Sequence, residues 1–258
     1  MILRRLGGKS NMANEIQKHF PPHKIYIEPF FGAGGMFFNK PKAHNNILND
    51  LDSDVFNLFK IVMDKKNDFK DVFKHVPIHL DLFKYWLKNK ETDKLKKALR
   101  FLYLSNFGYL GAMSTLDFGA KKIEYQYKFD VLLDKTSEIL KGCQFNNNDF
   151  EVFLKSITFI NDGRNDRKKT FIYADPPYVN TKGNYENFKE EDFERLLNCL
   201  IEMKCNFAIS EFNNEFVVNE CLKNGLNVIY LKERHNIKNK RVEILITNYE
   251  NRQGSLFA

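Results

Sequence analysis

Thr170-Phe-Ile-Tyr-Ala-Asp175 is an almost uninterrupted apolar run, and it stops at Pro176-Pro177. A run of this length without polar alternation is the pattern of a strand covered on both faces. Such strands belong to mainly parallel sheets flanked by helices. The rest of the chain repeats the theme. Lys24-Ile-Tyr-Ile-Glu28 and Asn46-Ile-Leu-Asn-Asp50 read as strands, Gln144-Phe-Asn-Asn-Asn-Asp149 as a weak one, and Asn206–Ser210, Asn227–Leu231 and Val242–Asn248 as later ones. Helical segments lie between them. Residues 9–20 lead to Pro21-Pro22, a helix capped by Asp52 or Ser53 sets Val55, Leu58, Phe59 and Val62 at helical spacing, and Glu190–Met203 puts Phe193, Leu196, Leu197 and Leu200 on one face. The alternation predicts an α/β fold with a mainly parallel sheet and helices on both faces.

From about residue 65 to 141 the rhythm breaks. Lysine-rich helical stretches at 69–75, 80–88 and 93–103 precede Asn106–Gly119, a segment rich in glycine and aromatics that reads as an irregular loop or hairpin. Between Phe56 and Lys141 sixteen lysines and one arginine face eleven acids, so this third of the chain holds an excess of six of the net +7. A mainly helical, basic insert at 56–141 is therefore expected within a domain formed by 1–55 and 142–258, and its charge suits a polyanion.

The 258 residues are 43% hydrophobic, enough for a large core, yet no apolar run is long enough to span a bilayer. Met1-Ile-Leu-Arg-Arg5 lacks the apolar stretch of a signal peptide, so a cytoplasmic location and no membrane partner are expected. Cys143, Cys199, Cys205 and Cys221 form no close pair and read as reduced core thiols. His75 and His79 have metal-ligand spacing on a helix, but Pro77 interrupts that helix, and no metal site is expected.

Two constellations carry chemistry. After the first strand comes Pro29-Phe-Phe-Gly-Ala-Gly-Gly35, and Asp50 closes the next strand. Glycines let a backbone turn approach a ligand, and a carboxylate one strand over bonds ribose hydroxyls. The spacing is not that of the dinucleotide fingerprint, which argues against NAD. The second is Asp175-Pro-Pro-Tyr178 at the carboxyl end of the buried strand, where ligands of open α/β sheets bind.

Phe-x-Gly-x-Gly after a strand with Asp-Pro-Pro-Tyr further on resembles the DNA adenine-N6 methyltransferases. The order of segments, opening with Leu6-Gly-Gly-Lys-Ser10 and closing with Phe207-Ala-Ile-Ser-Glu211 and Glu243–Tyr249, is similar to their Dam-like, or D12, class. The resemblance implies a Rossmann-like S-adenosylmethionine-dependent methyltransferase sheet and an inserted target-recognition domain. It implies transfer of methyl from S-adenosylmethionine to adenine N6 in double-stranded DNA. Phe30, Gly32, Gly34 and Asp50 would form the cofactor pocket, with Lys9, Asp149 and Phe150 at its rim and Asp175 contributing. Asp175, Pro176, Pro177 and Tyr178 would be catalytic, acting on a base turned out of the duplex. From its own residues, Tyr178–Phe188 reads either as a loop closing over that base or as an ordinary surface loop, and the basic connection Lys232–Arg241 either as a phosphate contact or as a solvated hairpin tip. Where the class carries an aromatic before Gly-Gly-Lys, this chain has Arg4-Arg5-Leu6, and 106–119 lacks the expected arginine pattern, so no recognition sequence transfers. A cognate restriction endonuclease is a further possible partner, and the oligomeric state is left open. The alternatives are an N4-cytosine methyltransferase, where a serine usually replaces the aspartate, and a DNA-binding nucleotide fold without catalysis.

Overall fold

The computed structural model describes residues 1–5, 7–109, 113–117, 119–161, 164–181, 188–235 and 240–250. Seven strands form one sheet: β1 (Ile25–Glu28), β2 (Asn45–Asn49), β3 (Gln144–Asn146), β6 (Thr170–Ala174), β7 (Asn206–Phe212), β8 (Asn227–His235) and β9 (Lys240–Thr247), in the order β3-β2-β1-β6-β7-β9-β8. A two-residue ribbon, β4 (Ile160–Asn161) with β5 (Arg164–Asn165), stands apart. All neighbours in the large sheet are parallel except β9, which runs antiparallel to both β7 and β8. The chain leaves β1 toward β2 on one side and returns to β6 on the other. The carboxyl ends of β1 and β6 therefore flank the switch point where such sheets open a crevice.

Strand side chains alternate between two cores. Tyr26, Leu48, Phe171, Tyr173 and Leu245 enter one cluster, while Ile27, Ile172, Ala174, Ile244 and Ile246 enter the other. Helices α7 (Phe150–Ser156), α8 (Glu190–Met203) and α9 (Glu215–Lys223) cover the second face. The first face packs against α1 (Ala13–Gln17), α2 (Ser53–Asp64), α3 (Lys66–Lys74), α4 (Leu80–Lys88), α5 (Lys94–Phe107) and α6 (Ala120–Leu140). No helix among the described residues is long and apolar enough to cross a membrane.

Several expected boundaries move. The first helix is only Ala13–Gln17, and Lys9 and Ser10 instead lie against Gly35 of the glycine turn. The weak strand stops at Asn146, and Asp149 caps α7 by accepting from Glu151 N–H at 2.9 Å. Helix α2 runs unbroken across the junction of residues 55 and 56, where the insert was expected to begin, and its Leu58, Phe59 and Val62 share a core with Phe69, Phe129 and Leu133 further on. His75 and His79 are split between the end of α3 and the cap of α4. Asn106 and Phe107 belong to the last turn of α5 and are buried, so the hairpin begins only at Gly108, which bridges to Leu116.

Candidate active site

Three strand ends lie side by side at the crevice. Asp50 follows β2, the glycine turn follows β1, and Asp175 follows β6. In the glycine turn, Phe31 N–H donates to Asn49 carbonyl at 2.9 Å and Gly34 N–H to Phe31 carbonyl at 2.8 Å. Gly32 (φ +55°) and Gly34 (φ +73°) take the left-handed backbone that side chains disfavour. They differ in surroundings. A Cβ on Gly32 would point into open space, whereas one on Gly34 would strike the rings of Phe31 and Phe38. Gly34 is thus buried where packing leaves no room for a side chain, while Gly32 is half-buried with room beside it.

Asp50 accepts from Gly32 N–H at 2.5 Å and from Asp52 N–H at 2.9 Å. Burial pushes its carboxyl up to about 6, against the opposing pull of those two N–H donors. Asp52 pairs with Arg5 at 2.9 Å. Phe30 is half-buried, and its ring meets Phe150 at 5.5 Å and Phe188 at 6.3 Å. Asp149 is otherwise engaged, capping α7 and pairing with Arg195 at 3.2 Å, whose guanidinium lies 4.9 Å from the Phe150 ring.

Lys9, expected at the rim of the cofactor pocket, lies beside the Asp175 turn. It is buried, and its Nζ lies 3.1 Å from Asp175 Oδ1 and 2.6 Å from Glu243 Oε1. It also contacts the Tyr178 hydroxyl and sits 4.3 Å from the centre of that ring. Gly35 permits this placement, because a Cβ there would lie 3.0 Å from Lys9 N. Tyr178 O–H donates to Glu243, and its ring meets Phe212 edge-on at 4.3 Å. Pro176 is buried, while Pro177 and Tyr178 are half-buried. The Asp175 side chain keeps 22% of its surface exposed above this buried layer.

Three buried acids were not singled out from the sequence. Glu243 is wholly buried on β9. Glu211 on β7 accepts from Val179 N–H at 2.5 Å and from Phe212 N–H, and burial drives its carboxyl up to about 8. Glu28, closing β1, accepts from Tyr26 O–H at 2.8 Å, and burial raises it well above the carboxylate range. An acid inside an apolar strand, as in Val242-Glu-Ile-Leu-Ile246, was the available signal. The expected closing loop falls largely on residues 182–187, and the cationic side chains of 232–241 likewise lie outside the described residues.

Residues 6–244 match the model of the D12 class N6 adenine-specific DNA methyltransferases. The DNA adenine methylase of Haemophilus influenzae is 29% identical over 212 residues, covering 74% of this chain and 69% of that protein. The DNA adenine methylase of Vibrio cholerae serotype O1 is 24% identical over 211 residues, covering 74% of this chain and 70% of its own. Among solved structures, an rRNA methylase from Streptococcus thermophilus aligns over 97% of this chain and 99% of that chain, at 8% identity and a TM-score of 0.37.

Proposed function

Because the chain belongs to the D12 class N6 adenine-specific DNA methyltransferase family, we propose that the turn Asp175–Tyr178 is its catalytic centre and that the glycine turn with Asp50 holds its methyl donor. The reaction is methylation of adenine N6 in DNA with S-adenosylmethionine as the cofactor. The observation that carries the site assignment is the state of Asp175. It stands at the switch crevice, partly exposed, with one oxygen anchored on a buried ammonium.

The residues at the crevice fit the cofactor. Open space at Gly32, a carboxylate bonded to the same turn and a half-buried Phe30 ring suit a nucleoside with a diol and a flat base. Asp50 would take the ribose hydroxyls and Phe30, backed by Phe150, the adenine. Asp149 would reach it only from its engagement with Arg195. When bound, the cofactor supplies an electrophilic methyl group on a sulfonium centre.

Adenine N6 is a poor nucleophile, because its lone pair is delocalised into the ring. Asp175 and the Pro176 carbonyl would accept its two hydrogens, favouring a pyramidal nitrogen with the lone pair directed outward. The work is then orientation and electrostatics. Two prolines stiffen the turn, and Pro177 brings no N–H to compete for the acceptors. Tyr178, held by its hydroxyl and by Phe212, would stack on a base rotated out of the duplex. The insert would read the DNA. Lys84, Lys88, Lys90, Lys94 and Lys96 are exposed there and form no ion pair among the described residues.

Calorimetry on Asp50→Ala tests the cofactor half of this reading. Loss of a charged acceptor costs about 1.5–3 kcal/mol, so affinity for S-adenosylmethionine should fall about 10- to 100-fold in a folded protein. Unchanged affinity would remove Asp50 from the pocket.

A further inference from the structure

We infer that Glu243 is the positioning residue of the catalytic turn: through Lys9 and the Tyr178 hydroxyl it fixes, from one buried carboxylate, both the acceptor and the stacking ring. The inference rests on the assignment of Asp175 and Tyr178 made above.

Glu243 reaches this place by strand direction. It lies on β9, which runs antiparallel between β7 and the edge strand β8, and its backbone is registered opposite Phe212 of β7. That pairing sets the carboxylate beside the ring that Phe212 itself packs against. Glu243 Oε1 then meets two donors at once, Lys9 Nζ at 2.6 Å and the Tyr178 hydroxyl. Neither Lys9 nor Glu243 is in water, with side chains 3% and 0% exposed, so neither can be reoriented by solvent.

The charges explain why two acids share one base. Lys9 is the cation between Asp175 and Glu243, at 3.1 and 2.6 Å. The ammonium is shared between the two carboxylates, and Glu243 lies closer to it. Asp175 is thus oriented by Lys9 without being fully neutralised by it, which suits a group whose task is to accept hydrogens from an amine. Without the Glu243 charge, Lys9 would lose the nearer of the two carboxylates it pairs with, and Tyr178 would lose this acceptor of its hydroxyl. Both changes act on the reacting geometry. Neither touches the Asp50 side of the crevice.

The test is steady-state kinetics on Glu243→Gln, Glu243→Asp, Tyr178→Phe and the double variant Glu243→Gln/Tyr178→Phe, with folding followed by circular dichroism. A displacement of about 1 Å in a reacting group costs on the order of 100-fold, so kcat should fall by about that factor in Glu243→Gln while KM for S-adenosylmethionine and DNA changes less than about threefold. Glu243→Asp, which restores the charge at a shorter reach, should recover at least about tenfold of the loss. Removal of the Tyr178 hydroxyl should slow the wild-type enzyme but add little in the Glu243→Gln background, because its acceptor is already gone. Wild-type kcat in folded Glu243→Gln would overturn the inference. So would a rise in KM alone, or fully multiplicative effects in the double variant. Should Glu243→Gln not fold, Glu243→Asp against Tyr178→Phe decides: equal kcat to wild type in both would also overturn it. Asp175→Asn run in parallel separates the two layers. If it is inactive while the Glu243 variants are unaffected, only the positioning role fails. If it is fully active, the assignment of the turn fails first.

Discussion

Glu211 sits in Phe207-Ala-Ile-Ser-Glu211, with its carboxyl buried against the backbone of Val179. The group titrates near 4.5 in an unfolded chain and near 8 in the fold, so between those values the folded state holds a proton that the unfolded state has lost. Stability contributed by a raised carboxyl is full below the lower value and is lost as pH climbs through the upper one. Thermal denaturation should show Tm falling from about pH 5 to about pH 8, with Asp50 adding a fall of the same sign lower in that range. Glu211→Gln should flatten the upper part of the curve, and a curve parallel to wild type would remove Glu211 as the cause. Asn106 yields a second expectation. Its Nδ2 donates to Ile2 carbonyl at 2.8 Å and its Oδ1 accepts from Arg4 N–H at 3.0 Å, tying the chain start to α5. Asn106→Ala should destabilise by about 1–3 kcal/mol in denaturant titration and leave sequence choice alone, since buried groups lose their partners. A stability within experimental error of wild type would contradict that. The burial of Glu211 had a signal in the apolar strand that carries it, but its bond to Val179 did not, and Asn106 looks like a loop residue until the chain start packs against its helix.

At the level of elements, the two chemical motifs were readable because each is local. A glycine turn and an Asp-Pro-Pro-Tyr turn need nothing beyond the strand that precedes them. The insert was harder. Helix α6 buries Tyr125, Phe129, Leu133 and Leu140, yet it also exposes Ile123, Tyr127 and Val131, so its apolar positions do not form one clean stripe. The lysines of α5 also split by contact. Lys97 pairs with Asp54 at 3.1 Å and bonds Ser53 at 3.2 Å, joining α5 to α2, whereas Lys94 and Lys96 are exposed without such pairs. Lys94→Gln with Lys96→Gln should weaken binding to all DNA sequences alike and reduce the salt slope by up to about 2, if each meets one phosphate. Lys97→Gln should instead cost stability, within about 1 kcal/mol for a partly exposed pair. Fluorescence anisotropy across a salt series distinguishes them, and an unchanged slope in the double variant would take this face of the insert out of the DNA contact.

Across the whole molecule, the sheet and the insert are continuous. One core runs from Tyr26 and Phe171 on the sheet through Phe59 of α2 to Phe129 and Leu133 of α6. The charge shift near residue 56 marks a change of surface, which composition can show, while the shared apolar interior follows only from packing. For the proposed catalytic turn the decisive comparison is between wild type and Asp175→Asn on unmethylated duplex DNA, read by nucleoside mass spectrometry after digestion. Wild type should yield N6-methyladenine. The variant should yield almost none while still binding S-adenosylmethionine and DNA, because it keeps the shape of the turn and loses the charge that accepts the N6 hydrogen. Undiminished N6-methyladenine from Asp175→Asn, or N4-methylcytosine from the wild-type enzyme, would contradict the assignment.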